Sequence, residues 1–508
     1  MSSPLPPRRA ERLRALAAER FDLVVIGGGI TGAGVARDAA RRGLRVALLE
    51  AEDFAAGTSS RSSRLIHGGV RYLEHGYLHL VWESSRERRR LLAHAPHLVR
   101  PLQFTWPVYR GARVKRWQLA AALTMYDALA MFRNVGRHRR LPPAGVLEHE
   151  PSLARDGLLG GATYWDAATD DSRLTLANVL DAAAHGAVVM NHAAVERLIH
   201  STPTGPADGV EVRDALGGGR VAVRARLVVS CAGPWTDDIV RMEDPAAAPA
   251  VRGTKGVHIA VPAARVGNVA AVTMLSPDDG RVMFTLPASG GMTIIGTTDT
   301  PTAEHPATVR ASAADVRYLL AACNRFFPEA RLTDDDVVSA WAGIRPLVAS
   351  GNSGDPASAS REHAVRMSPR GVLTATGGKL TTYRAQAAQI VDAAVKALGR
   401  HTKPSDTAEA PLPGARPAPQ GSDVRLVPEL GWRESDVDQA VTQEFAESVA
   451  DVMIRRTFLA FELRDQGRAI APRIAKRMAR HLGWTDAGIA HAVAEYHSAL
   501  DRIFTITP

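Results

Sequence analysis

The sequence predicts an α/β protein in which a parallel-sheet domain carries a mostly β insertion and is followed by a helical C-terminal domain. Three observations predict it. Residues 21–50, FDLVVIGGGITGAGVARDAARRGLRVALLE, read as strand, glycine turn, helix and strand. Residues 226–235 and 371–384 each run from an apolar segment into a further glycine turn. Residues 252–345 break into short strand-like segments, and the chain beyond residue 422 reads as helices.

In the first unit, the continuous apolar run at residues 23–26 reads as a buried parallel strand. Gly27, Gly29 and Gly32 follow at the G-x-G-x-x-G spacing. Gly27 permits the tight turn, Gly29 lets a pyrophosphate approach the backbone, and Gly32 lets the helix pack close to the strand. The helix start offers free N–H groups and the positive end of its dipole to the phosphates. A second apolar strand, residues 46–49, ends on Glu50. That acid lies about 20 residues beyond the glycines, where it can accept hydrogen bonds from a ribose diol. All parts agree on a Rossmann-like dinucleotide site. A carboxylate at Glu50 disfavours a 2′-phosphate, so FAD or NAD is favoured over NADP.

A chain of 508 residues is too long for one small core and predicts two or three domains. Cys231 and Cys323 are the only cysteines, which excludes a disulfide framework and a cysteine metal cluster and fits a reducing compartment; no metal site is expected. The net charge of +9 suits an anionic substrate, an anionic cofactor or an anionic lipid surface. Zinc-finger spacing and aromatic ribonucleoprotein motifs are missing, so no nucleic-acid partner is expected. No apolar run approaches the length of a membrane-spanning helix. The pair Arg8-Arg9 is followed by Glu11, Arg12, Arg14 and Glu19 rather than by an apolar stretch, which argues against an export signal. Residues 1–20 read as a flexible start and a short charged helix.

After Glu50, AEDFAAGTSSRSSRLIHGGVRYLEHGYL is dense in hydroxyls at Thr58, Ser59, Ser60 and Ser63, and Gly68-Gly69 allows a sharp turn. Its position directly after the second strand places it where a bound dinucleotide continues towards its reactive end. His67, Arg71 and Tyr72 are candidates to face that ligand. The combination of IGGGITGAGVARDAARRG with TSSRSSRLIHGGVRYLEHG resembles the FAD-dependent glycerol-3-phosphate dehydrogenases, part of the flavoprotein class that includes D-amino-acid oxidase. RGTKGVH at 252–258, GTTDT at 296–300 and SAWAGIRPL at 339–347 extend the resemblance. It covers roughly residues 20–400 and weakens in the helical tail. It departs at the N-terminal extension, in the Ala/Pro-rich inserted loops and in the length of the C-terminal domain.

Further elements follow in order. Residues 80–101 read as an arginine-bearing helix ending near Pro96. Residues 117–132, WQLAAALTMYDALAMF, form an apolar helix preceded by Lys115 and Arg116 and followed by Arg133, Arg137, Arg139 and Arg140. A packed helix of the substrate domain is the favoured reading; an interfacial helix with its cations on anionic headgroups is the alternative, and the membrane association of bacterial family members supports it. Residues 170–186 have helical periodicity and 187–190 read as a strand. Residues 226–235, RLVVSCAGPW, read as a strand entering a turn at Gly233, with Cys231 a small buried apolar residue. Strands are expected at 256–261, 269–274, 282–286 and 292–297, and a helix at 312–326.

Residues 371–384, GVLTATGGKLTTYR, read as a strand, a turn ending in Gly377 and Gly378, then Lys379 and a helix from about Leu380, with Thr381 in its first turn. The resemblance implies that this helix start points at the flavin ring near its C2 carbonyl. Reduction places negative charge there, and a helix dipole stabilises it by about 0.3–2 kcal/mol. Three glycine turns converging in space favour FAD over NAD, because an NAD domain needs only the first. Residues 399–422 are rich in Pro, Ala and Gly and read as a linker. Residues 435–459 and 473–500 read as helices for structural support or homodimer formation.

The resemblance implies oxidation of sn-glycerol 3-phosphate to dihydroxyacetone phosphate, with electrons passed from FAD to a membrane quinone. Such chemistry needs cations for the phosphate, best supplied by the planar fork of Arg, and an acceptor for the alcohol proton. By resemblance, Arg71 and Arg361 hold the phosphate with Tyr72 nearby, and Arg345 and Lys379 lie closer to the carbinol and the flavin. His258 is the candidate general base, since histidine titrates near neutral pH and a positioned base contributes about 10²–10⁴-fold. The enzyme is expected in the cytoplasm, peripheral on the inner face of the cell membrane.

The expected domains are an N-terminal extension at 1–20, a discontinuous FAD-binding domain of the glutathione-reductase/D-amino-acid-oxidase type at 21–105, 160–250 and 345–400, and a substrate-binding cap at 106–159 and 251–344. A linker at 401–422 and a helical domain at 423–508 complete the chain. Alternatives are a glycerol-3-phosphate oxidase using dioxygen, an amine or amino-acid oxidase of the same fold, and a non-catalytic flavin sensor. An amino-acid oxidase needs one carboxylate-binding arginine rather than several cations, and a sensor needs no cationic set.

Overall fold

The computed structural model describes residues 8–276, 279–349, 363–414 and 423–508. A first sheet has the strand order His363–Met367, Val372–Gly377, Arg220–Ser230, Arg20–Ile26, Val46–Leu49 and Val188–Met190, with the hairpin Ala193–His200/Ala207–Asp214 attached to Arg220–Ser230. The four strands from Val372–Gly377 to Val46–Leu49 run parallel, and Val188–Met190 continues the parallel run. Leu23 to Ile26 and all of Val46–Leu49 are buried, as a parallel strand covered on both faces requires. The helix Ile30–Arg41 packs on one face against Asp171–Ala184 and Tyr383–Ala397. Close approach at Gly34 makes this contact tight: a Cβ there would lie 3.1 Å from both Ala387 and Tyr383.

The second sheet has the order Thr300–Thr302, Val251–Pro262, Met292–Gly296, Val282–Pro287, Ala271–Leu275, Val99–Tyr109, Leu158–Thr169 and Leu65–Ile66, with Ser339–Val348 paired to Val251–Pro262 and Arg139–Leu141 to Leu158–Thr169. All of these pairings are antiparallel except Ala271–Leu275 with Val99–Tyr109. The sheet revises the expected boundaries. Val99–Tyr109 and Leu158–Thr169, which the breaks at 105/106 and 159/160 would cut, run whole within it. So does Ser339–Val348, across the break at 344/345. The expected arginine-bearing helix ends at His94, and the strand Val99–Tyr109 follows. The helix Ala313–Phe326 starts as expected, with Ser312 accepting from the Asp315 N–H and Asp315 accepting from the Ser312 N–H.

The N-terminal charged helix spans Arg9–Ala18 and buries Leu16 and Arg12. In the C-terminal domain, the helix expected over 435–459 is instead Glu434–Gln443, a loop and a π-helical turn at Asp451–Arg456. The later helices are Ala471–Leu482 and Asp486–Phe504. That π-turn anchors the domain to the first sheet. Arg456 makes a bidentate contact with Asp53 at 2.7 and 2.9 Å, Arg455 reaches the same carboxylate at 2.6 Å, and Asn191 donates to it at 2.9 Å. Arg455 also bonds Asp451, which His192 meets at 2.9 Å. Asp53, His192 and Asp451 have the spacing of a metal-ligand set; here the two guanidinium groups supply the positive charge.

Asp53 and Asp451 are both buried, and without Arg456 the two carboxylates must share Arg455 and His192. Arg456→Met should lower the stability of the chain by about 3–5 kcal/mol, read as a shift in the urea unfolding midpoint. A shift within experimental error would mean that the domain is anchored elsewhere.

Candidate active site

Three glycine turns meet around one cavity of 560 Å³. The first follows Arg20–Ile26. Gly27 has φ +103°, and a Cβ there would lie 2.6 Å from the Cys231 carbonyl oxygen at the end of the neighbouring strand. Gly29 lies at the start of Ile30–Arg41, and a Cβ there would meet only the Ser59 hydroxyl, at 3.2 Å. The helix start is thus open on its cavity side. Ser59 accepts the Ile30 N–H at 2.9 Å, which caps it. Glu50 accepts from the N–H groups of Gly28 and Glu52. Burial pushes its carboxyl up to about 7, and hydrogen bonds from a ligand diol favour its charged form. Gly233 forms the second turn, and Gly377 and Gly378 the third.

These features fit FAD. A helix N-terminus open to a pyrophosphate, an acid for a ribose, and Lys379 and His258 further along all line one cavity. Thr58, Ser59, Ser63, His67, Leu380 and Thr381 line it. Thr58 also donates to the Ile344 carbonyl at 2.6 Å, and Thr381 bonds both the N–H and the carbonyl of His67. Gly32, Ser60 and Gly68 support the cradle from behind its lining. Gly32 packs against Gly27, whose oxygen would be 1.9 Å from a Cβ. Ser60 is buried and bonds back to the Gly57 carbonyl. Gly68 donates its N–H to Asp166 and would clash with the Tyr126 hydroxyl if it had a side chain. The expected helix from Leu380 begins as a 3-10 turn, Leu380–Thr382, and becomes α-helical at Tyr383.

His258, Arg345 and Lys379 line the same cavity. His258 is buried, stacked on Trp341 at 5.5 Å, and its Nε2 lies 2.9 Å from the Ser63 hydroxyl. Burial, with Arg345 and Arg64 nearby, pushes its pKa down to about 3, so the ring is neutral at physiological pH. Arg345 is oriented by Asp299 at 2.9 Å and by the Thr297 hydroxyl at 3.0 Å. Lys379 donates to the His67 carbonyl at 2.8 Å and lies 4.9 Å from the Tyr72 ring. Arg71 and Tyr72 are one layer further out: Tyr72 is buried, and the Arg71 guanidinium lies 6.0 Å from its ring centroid. Arg361 falls outside the described residues. Cys231 lines the cavity, and burial pushes its thiol up to about 12, in line with an apolar role.

Sequence reasoning left Asp299, Trp341 and Asp166 without roles. Asp299 and Trp341 stand inside the quoted GTTDT and SAWAGIRPL stretches, so those stretches held the signal. Asp166 had none: it accepts from the Gly68 N–H and the Tyr126 hydroxyl and pairs with buried Arg88, which fixes the turn ahead of Arg71.

The fold and this cavity define a FAD-dependent oxidoreductase. Residues 22–384 match the family model described as FAD dependent oxidoreductase, and residues 413–489 match the C-terminal domain of alpha-glycerophosphate oxidase. The chain is 37% identical to glycerol-3-phosphate dehydrogenase 2 of Mycobacterium tuberculosis, covering 98% of this chain and 91% of that protein. It is 36% identical to the human mitochondrial glycerol-3-phosphate dehydrogenase, covering 95% and 73%. Among solved structures, a Bacillus halodurans glycerol-3-phosphate dehydrogenase complexed with FAD superposes with a TM-score of 0.77 at 30% identity, over 97% of each chain. The chain belongs to the FAD-dependent glycerol-3-phosphate dehydrogenase family.

The neutral state of His258 has a thermodynamic consequence. Its pKa is about 3 in the folded chain against 6.5 for the free side chain. Between those values the unfolded chain binds the additional proton, so stability falls as pH drops below 6.5, by about 1.4 kcal/mol per pH unit. His258→Gln lacks this term. Unfolding measured at pH 7 and pH 5 should show the wild type losing more stability than the variant; equal losses would mean that the ring is already charged in the fold.

Proposed function

We propose that the enzyme oxidises sn-glycerol 3-phosphate to dihydroxyacetone phosphate and passes the electrons to a membrane quinone. The observation that carries this reading is the placement of Lys379, Arg345 and a neutral His258 on the cavity that the three glycine turns build. The names of the relatives support the same substrate. Gly27, Gly29, Glu50, Ser59, Gly233 and Gly377–Lys379 hold FAD, which when bound supplies the hydride acceptor. Arg71 and Lys379, both against the Tyr72 ring, attract the substrate phosphate from one side, and Arg361 joins them in this reading. Arg345, fixed by Asp299, polarises the carbinol oxygen. His258 accepts the hydroxyl proton while Ser63 holds its ring. The C-terminal match to an oxidase domain supports dioxygen as the competing acceptor.

Turnover with sn-glycerol 3-phosphate in air, with a soluble quinone analogue present, tests the reading. Dihydroxyacetone phosphate should match the quinone reduced, with peroxide a minor product; peroxide equal to product would replace the quinone by dioxygen. His258→Asn should lower kcat by about 10²–10⁴-fold, whereas an unchanged kcat would remove it as the base.

The membrane reading rests on the helix Arg116–Leu129. Leu119, Leu123 and Tyr126 are buried, while Trp117 is 68% and Met125 47% exposed, with Phe132 and Met131 beyond them at 55% and 49%. Arg133, Arg137, Arg139 and Arg140 are exposed beside this face. Among the described residues no helix is long and apolar enough to cross a membrane. An interfacial helix with cations at its edge suits a peripheral enzyme on the anionic inner leaflet, at about 1 kcal/mol per cation. Replacing the four arginines by glutamine should lower partition onto anionic vesicles by about tenfold or more; unchanged partition would place membrane contact elsewhere.

A further inference from the structure

A second cavity, of 450 Å³, lies behind the catalytic one. Ser63 and Leu65 line both and form the wall between them. Its floor is Arg64, a residue in the left-handed region at φ +54° with a side chain buried to nine-tenths. The guanidinium lies 3.7 Å from the Phe458 ring centroid and 4.8 Å from that of Phe461. Its Nε and Nη2 have no hydrogen-bond partner, and it makes no ion pair among the described residues. The nearby acids Asp171 and Asp170, the latter in the cavity lining, feel the Arg64 charge, which opposes the rise that burial causes in their carboxyls, but neither hydrogen-bonds to it. Asp171 accepts from the Ser62 N–H and hydroxyl and from the Ser172 N–H, and Asp170 caps the helix Asp171–Ala184 through the Arg173 N–H. Arg173 is matched by Glu444 at 2.6 Å. At the mouth, Arg100 and His97 are exposed, and His97 contacts the Pro413 carbonyl. Apolar Leu286, Ile294 and Trp432 are also part of its lining.

A buried cation without a matching hydrogen-bond acceptor is costly, and an oxyanion is the group that would complete it. We propose that this second cavity binds a small organic oxyanion, a carboxylate or phosphate ester with an apolar body, and that its occupancy regulates the adjoining catalytic site. The acidic group would meet Arg64 and Arg100, and the apolar body would lie against Leu286, Ile294 and Trp432. The signal has a short path. Ser63 in the shared wall bonds His258, and Trp341 lies between Arg64, at 5.6 Å, and the His258 ring. An anion beside Arg64 offsets one of the positive charges that depress the basicity of His258, so occupancy should speed turnover.

The test uses the full FAD-loaded chain with benzoate and phenyl phosphate as probes, which distinguish the two acidic groups. Calorimetry with sn-glycerol 3-phosphate saturating should detect binding of at least one probe, weakened about tenfold or more in Arg64→Gln and in Arg100→Gln. Arg100 is exposed at the mouth, so its variant keeps the test decisive if Arg64→Gln fails to fold. Saturating probe should raise kcat by about fivefold. No binding of either probe, or affinity unchanged in the variants that fold, would overturn the site and leave Arg64 as a strut between domains. Binding without a change in kcat would overturn its regulatory role. The turnover arm rests on the proposed substrate, whereas the binding arm repeated without substrate does not, so the failure of either reading is distinguishable.

Discussion

The structure depends on one alignment. Three parallel strands end at the same level, with Ile26 opposite both Leu49 and Ser230, and the fourth, in register with Ser230 at Thr374, runs three residues further to Gly377. Each chain segment leaves the sheet at that edge, so the turns at Gly27, Glu50, Gly233 and Gly377 face one another although hundreds of residues separate them in sequence. Ligands bind at the carboxyl edge of parallel sheets because this edge collects loops and helix starts. The close contact of Gly27 with the Cys231 carbonyl holds the two central strands at that level.

The second sheet and the C-terminal domain build on this edge. The long antiparallel sheet brings His258 and Arg345 across the cavity from the glycine turns, and its strand Ser339–Val348 receives the Thr58 hydroxyl. The C-terminal domain pins the loop just beyond Glu50 through Asp53. Buried charges do much of this positioning, and each is matched by hydrogen bonds as well as by an opposite charge: Asp53 with Arg455 and Arg456, Asp166 with Arg88 and Tyr126, Arg173 with Glu444. Arg64 departs from that pattern, which is why its cavity attracts attention.

Much of this was legible in the sequence, because the nucleotide-binding chemistry demands glycine and acid at fixed local offsets. The first βαβ unit and the other two glycine turns follow from such local signals, whereas the grouping of His258, Arg345 and Lys379 comes from the family resemblance and not from spacing. What escaped depends on distant partners or on unusual strand composition. Val99–Tyr109 contains Pro101 and Pro107, and Leu158–Thr169 contains Gly160 and Gly161, all poor strand formers by propensity. Gly161 is favoured here because the two strands press closely: a Cβ there would lie 2.5 Å from the Trp106 carbonyl oxygen. Asp53 looks like its neighbour Glu52 in sequence, and its partner Arg456 is 403 residues away. Arg71 illustrates the limit of motif reading. Its guanidinium lies 6.0 Å from the Tyr72 ring, outside the lining of the cavity, and the phosphate role the resemblance assigns it stays a proposal.

In the proposed reaction the glycine-turn cradle and the cation set act on one carbinol. Its most direct test is a single anaerobic visible spectrum of the FAD-loaded protein before and after sn-glycerol 3-phosphate. Loss of the flavin absorbance with this substrate, and none with glycerol or with an amino acid, is the predicted result. A spectrum unchanged by sn-glycerol 3-phosphate but bleached by an amino acid would contradict the account.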